Sequence, residues 1–174
     1  FRRVLFRSTG SVAVVDQDIT LFEGTIADNI KMWDDNISDR EMENAAKDAL
    51  IYDEIMSREG GFSYVISEGG SDLSGGQRQR IEIARALVRK PSVLIMDEAA
   101  SSVDRETEEK IFENIKRRGI TTIIISHRIS TIKDSDLILV MDEGKISGRG
   151  KHGELFNNNE LYRKLVGAET ESRN

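Results

Sequence analysis

Two spacings of apolar residues alternate along this chain. SVAVV (11–15), SVLIMDEA (92–99) and TTIIIS (121–126) hold short β-branched runs with no polar alternation. Such runs predict buried strands, and the last two read as covered on both faces. Between them the period lengthens to that of a helix. Residues 38–56 (SDREMENAAKDALIYDEIM) predict one helix, with Met42, Ala45, Ala46 and Ala49 as its apolar stripe and Ser38 with Glu41 as a capping box. TIADNIKMW predicts a shorter helix. Another runs from about 75 to 89 and stops before Pro91, which disfavours helical backbone in the residue ahead of it. RETEEKIFENIKRR predicts a helix with Asp104 as its cap and Gly119 as its stop. DQDITLFEG reads as a loop, and GGFSYVISEGGSD as a glycine-punctuated loop with room for a short strand. DLILVMDEGKIS predicts a strand, a turn at Glu143-Gly144 and a return strand. The tail predicts amphipathic helices, including ELYRKLV, and a frayed ETESRN end.

Strands alternating with helices predict an α/β fold, a mostly parallel sheet flanked by helices. No internal repeat and no linker divides the chain. Its 174 residues, 38% hydrophobic and 32% charged, suit one globular domain with its own core. The net charge of -6 argues against general nucleic-acid binding, and no nucleic-acid partner is expected. With no cysteine there is neither a disulfide nor a thiolate metal site. No apolar run approaches the roughly 20 residues that span a bilayer. FRRVLFRS (1–8) mixes arginine with apolar residues, resembles translated adaptor sequence and reads as a non-native leader.

Four stretches carry candidate chemistry. In LSGGQRQR, Ser74 and Gln77 have capping-box spacing, but Gly75 and Gly76 each cost a helix about 1 kcal/mol against alanine. A serine hydroxyl, bare amides and a helix N-terminus make an anion site, phosphate first. In VLIMDEA, Asp97 and Glu98 follow a buried strand at once. One could hold magnesium through water and the other polarise an attacking water; a solvated turn is the plainer alternative. His127 in IIISHR and Gln17 in VVDQD also follow apolar strands. Each alone is as well read as structural. Together, at one end of one sheet, they read better as a single phosphate site than as four unrelated loops.

The set resembles the ABC-type ATPases over nearly all of the chain after residue 8. LSGGQRQR resembles their signature motif and SVLIMDEA their Walker B strand with its catalytic glutamate. SSVD (101–104) resembles the D-loop, SHR the H-loop, and VVDQDITLFEGTIADNI the Q-loop and the start of a helical subdomain. The resemblance implies a P-loop-NTPase-like fold. Its helical subdomain would be inserted over about 21–89, with the rest of the core over about 90–150 and C-terminal helices over about 151–170. It implies ATP and Mg²⁺, with Ser74, Gly75, Gly76 and Gln77 binding the γ-phosphate held by an opposite subunit. Asp97 and Gln17 would serve the metal, Glu98 would be the general base, His127 would hold the γ-phosphate and water, and Asp104 would cross the dimer interface. Gln17 would also couple the site to a transmembrane domain.

LFEGTIADNI, SHRISTIKDSDLILVMDEGKI and GKHGELF resemble exporters with a fused transmembrane half, working at the cytoplasmic face of the membrane. NIKMWDDNISDREMENAAKDALIYDEI and SEGGSDLSGGQRQRIEIARAL resemble exporters of bacteriocin-type peptides. The alternatives are a soluble ABC-type ATPase acting on nucleic acid or the ribosome, and a catalytically degenerate interaction module. Ala99-Ala100, Asp16 and SEGGSD depart from the family pattern. No glycine-rich loop ending in Gly-Lys-Ser/Thr occurs in the sequence. The chain therefore reads as truncated ahead of its first strand, and inactive by itself.

Overall fold

The computed structural model describes residues 11–99 and 102–171. The leader 1–8, Ala100, Ser101 and the last three residues lie outside them. The chain divides into two units, 1–125 and 126–174, although no loop of linker composition marks the boundary.

In the first unit, β1 (Val12–Val15), β4 (Val93–Asp97) and β5 (Thr121–Ile125) form a parallel sheet in the order β1-β4-β5. Val14, Ile95 and Ile123 stand in one row across it, and Val15 is level with Met96. Between β1 and β4 lie a two-residue antiparallel pair, β2 (Gly24–Thr25) and β3 (Val65–Ile66), and four helices: α1 (Ile26–Lys31), α2 (Asp39–Asp48), α3 (Tyr52–Met56) and α4 (Gly75–Val88). α5 (Arg105–Arg117) joins β4 to β5. α4 packs on α1, α2 and β1. Its Ile81, Ile83 and Leu87 share a core with Val15, Leu94, Met96, Ile111 and Ile115.

The capping chemistry forms as the sequence requires. Thr25, Ser38 and Ser74 each close a capping box, and the Asp104 side chain accepts the Thr107 amide at the start of α5. Gly119 takes a left-handed φ of 70° just past α5.

Several expectations fail. The helix predicted over 38–56 breaks in two at Leu50, which has φ 54°. A continuous helix turns roughly 100° per residue. It would put Ile51 and Ile55 on the face opposite Met42, yet both are buried with that stripe. The break re-phases the chain so that both sets reach one core. β5 is not covered on both faces either. It is an edge strand among the described residues, and Ile123 and Ile125 are 50% and 49% exposed. β1, expected to be buried, has Val12 and Val14 on that same exposed face, and only Val15 is fully buried; Leu94 and Met96 point to the packed face.

The second unit holds α6 (Ile129–Ile132), a hairpin of β6 (Ile138–Asp142) and β7 (Lys145–Gly150), α7 (His152–Asn158) and α8 (Glu160–Glu171). Glu143 and Gly144 both have positive φ, 45° and 76°, as a tight hairpin turn demands. Ile129, Ile138, Val140, Leu155 and Tyr162 form a separate small core. The end expected to fray is helical as far as Glu171.

Candidate functional site

The N-terminus of α4 is built as the sequence asks, and its two readings are both present. The Ser74 Oγ accepts the Gln77 amide at 3.2 Å, and Gln77 Oε1 accepts the Ser74 amide at 3.0 Å. This box leaves Gly75 and Gly76 in the first turn, where helix geometry supplies their N–H groups no acceptor. Both glycines face the loop after β4. A Cβ on Gly76 would stand 3.0 Å from the Ser102 carbonyl oxygen, whereas one on Gly75 would be in ordinary contact with Ser102 at 3.7 Å. Gly76 thus answers to the chain's own packing, and Gly75 leaves space for something else. That space is a pocket of about 330 Å³ lined by Ser74, Gly75, Gly76, Arg80, Ser102, Val103 and Asp104.

Its electrostatics favour an anion. The positive end of the α4 dipole opens into it, and Arg80 contributes a guanidinium. Asp104 stands at the rim with its carboxylate spent on α5. Oδ1 accepts the Thr107 amide at 3.0 Å and Oδ2 its hydroxyl at 2.7 Å. Those hydrogen bonds, the hydroxyl's first, lower its pKa. Gln77 does not line the pocket. Its Nε2 donates to Glu54 Oε2 at 2.8 Å, and its Oε1 also accepts from Arg58 at 3.1 Å.

The acid pair sits at the carboxyl edge of the sheet, where ligands of parallel sheets collect. Asp97 closes β4, on the same face as Val93 and Ile95. Glu98 follows with φ 48°, a left-handed conformation that costs a non-glycine residue. Hydrogen bonds hold it there. The Glu98 amide donates to the Ile125 carbonyl at 3.0 Å, and the Glu98 carbonyl accepts from Gln79 Nε2 at 3.2 Å. Gln79 Oε1 accepts the Ser102 amide at 3.0 Å. One side chain, 1% exposed, therefore fixes both ends of the loop between the acids and the pocket. Sequence reasoning missed Gln79. Its only signal is an amide placed among the apolar, core-facing positions of α4.

Gln17 is exposed two residues beyond β1, so its loop leaves the same sheet edge as Asp97. The Arg85 guanidinium ties the following segment to α4, donating to the Thr20 carbonyl at 2.9 Å and the Asn29 carbonyl at 2.7 Å. Beside it, burial pushes Glu82 up to about 7; the Arg85 charge opposes that shift and Asp16 adds to it. Glu82 Oε2 is buried without a hydrogen-bond partner. His127 follows β5 by two residues in sequence and belongs to the second unit.

The structure thus gathers Ser74, Gly75, Gly76 and Asp104 around one pocket and brings Asp97, Glu98 and the Gln17 loop to one sheet edge. Gln77 it turns aside. A parallel sheet with an acid pair at the end of its central strand, flanked by such a helix start, is an α/β arrangement suited to holding phosphate. Residues 4–101 match the family described as "ABC transporter", starting inside the stretch expected to be a foreign leader. Human "ATP-binding cassette sub-family B member 5" is 44% identical over 157 residues, 89% of this chain and 12% of that protein. "ABC transporter ATM1" of Toxoplasma gondii is 48% identical over 88% of this chain and 14% of its own length. A solved "bacterial Atm1-family ABC exporter with ATP bound" superposes with a TM-score of 0.88 at 40% identity, covering 92% of this chain and 28% of that one. The chain belongs to the ABC transporter family. It spans only a small part of the length of these relatives.

Proposed function

We propose that this chain is part of the ATP-hydrolysing domain of an exporter. The observation that carries the reading is the pocket at the start of α4, where a hydroxyl, two glycine amides, a helix dipole and Arg80 surround a space fit for phosphate. In the whole protein that pocket closes on the γ-phosphate of ATP held by a second, head-to-tail copy of the domain, with Asp104 at the boundary between them. The segment 21–89 acts as the inserted helical subdomain, and a transmembrane domain meets the loop of Gln17 at the cytoplasmic face of the membrane. Among the described residues no helix is long and apolar enough to cross it.

Hydrolysis forms a bond from water oxygen to the γ-phosphorus and breaks the bond to the bridging oxygen, releasing ADP. Glu98 takes the water's proton, its backbone fixed for the task by Gln79 and Ile125. His127 holds the γ-phosphate and the water. No three metal-ligating side chains converge among the described residues. The implied ion is magnesium, which keeps water and phosphate oxygens and needs few protein ligands. Asp97, with Gln17, would hold it, and the ion would neutralise phosphate charge. The phosphate-cradling Gly-Lys-Ser/Thr loop comes from elsewhere in the whole protein. A peptide cargo of bacteriocin type is supported by the helical segment's likeness to such exporters; of the relatives named above, one is described as a transporter and one as an exporter, and none by that cargo.

The test is Glu98→Gln in the whole protein, followed by ATP binding and phosphate release. Retained binding with turnover lowered at least about 100-fold supports the reading. Unchanged turnover overturns it.

A further inference from the structure

The amide of Gln77 and the charge of Arg80 are both held by one carboxylate that neither the signature stretch nor the sheet edge contains. Glu54, on α3, accepts from Gln77 Nε2 at 2.8 Å with Oε2 and from Arg80 Nη2 at 2.5 Å with Oε1. Two residues past α3, Arg58 donates to Gln77 Oε1 at 3.1 Å while its guanidinium stacks 4.9 Å above the Tyr64 ring. The Asp72 carboxylate, two residues ahead of Ser74, accepts the Ser67 amide at 3.2 Å. Glu54 and Arg58 therefore hold the Gln77 amide from its two ends.

The chemistry of the grip is specific. A glutamine amide can flip, and only one orientation lets Oε1 accept the Ser74 amide. Glu54 beneath Nε2 and Arg58 beside Oε1 enforce that orientation, a carboxylate demanding the N–H side and a guanidinium the oxygen side. Glu54 also sets where Arg80 stands. Arg80 lines the pocket, its side chain is only 13% exposed, and its Nε has no partner of its own.

We propose that Glu54 is a positioning residue. By bridging Gln77 and Arg80 it fixes the Ser74–Gln77 turn and the Arg80 charge in the geometry that receives the nucleotide's terminal phosphate. It acts through those residues and does not touch the nucleotide. The proposal rests on the reading that this pocket receives ATP in trans.

The experiment is an ATP titration of hydrolysis by the whole exporter carrying Glu54→Ala, Gln77→Ala, both together, or Gly75→Asp. Glu54→Ala is expected to raise the KM for ATP about tenfold while kcat moves less than twofold, the mark of lost binding geometry. On the Gln77→Ala background it is expected to add less than twofold, because the two act as one unit. Glu54→Gln preserves volume and still offers an oxygen to Gln77 but presents an amide to Arg80. It carries the same test if Glu54→Ala fails to fold, with a smaller rise in KM expected. An unchanged KM in both Glu54 variants overturns the proposal. So do effects on kcat and thermal stability that simply add to those of Gln77→Ala, since they assign Glu54 to the fold alone. Hydrolysis that survives Gly75→Asp overturns the underlying reading of the pocket; hydrolysis lost in Gly75→Asp with an unmoved KM in the Glu54 variants overturns this inference only.

Discussion

Gly76 meets Ser102 backbone to backbone, so closely that a Cβ on the glycine would lie 3.0 Å from the serine carbonyl oxygen. The neighbouring Gly75 has no such constraint. Alanine at 75 is expected to raise the stability of the protein by up to about 1 kcal/mol, the ordinary helical preference for alanine over glycine. At 76 the same change is expected to outweigh that gain and destabilise the protein by pushing the 102–103 loop away. Thermal melts of the two variants check the difference, which should have opposite signs at adjacent positions.

Aspartate at 75 places a negative charge at the mouth of the pocket without a packing clash. Gly75→Asp is therefore expected to melt close to the parent protein yet to abolish ATP hydrolysis by the whole exporter. Parallel melting and phosphate-release assays separate the two effects.

Gln79 satisfies the Glu98 carbonyl and the Ser102 amide together. Gln79→Leu fills the space but removes the two hydrogen bonds that its amide makes. Each such bond is worth about 0.5–1.5 kcal/mol, so the variant is expected to be destabilised by about 1–3 kcal/mol. Its turnover is expected to fall further than its ATP affinity, because the loop positions Glu98, the proposed general base. Denaturant melts and the kcat-to-KM split test this.

Glu82 gives a pH signature. Its pKa is raised from 4.5 to about 7 chiefly by burial. The folded protein therefore keeps a proton that the unfolded chain releases, and stability is lost as pH rises from the unfolded value through the folded one. Glu82→Gln mimics the protonated form. It is expected to match the parent in thermal stability below about pH 4 and to exceed it by a few degrees at pH 8. Equal melting temperatures at pH 8 would contradict the assignment.

The 174-residue chain alone is expected to turn over ATP negligibly, since it holds no Gly-Lys-Ser/Thr loop for the β- and γ-phosphates. A steady-state phosphate assay on the purified chain checks it.

What could be read in advance follows from the range of the interactions. The start of α4, the box of Ser74 with Gln77, the cap at Asp104 and the hairpin turn at Glu143-Gly144 are set by residues within a few positions of one another, and all are legible in the string. The break at Leu50 was not, because the stripe of α2 is a good helix pattern as far as Ala49. Only the burial of Ile51 and Ile55, a tertiary fact, forces the re-phasing. The exposed face of β5 was misread for a related reason, as a run of isoleucines does not say whether a second layer covers it. Gln79 and Glu54 were invisible because their partners lie 19 to 26 residues away. The acids, glycines and serine of the site stood out because strand ends and helix starts are local features.

Among the described residues, Val12, Val14, Ile123 and Ile125 are 39% to 56% exposed on one side of the sheet, beside an edge strand. An apolar wall of that kind meets a crowded solution as an adhesive surface. Chaperones would compete with self-association for it, and the yield of soluble material would fall steeply with expression level. Salt would worsen the loss and cold would relieve it, since the attraction is hydrophobic and weakens on cooling.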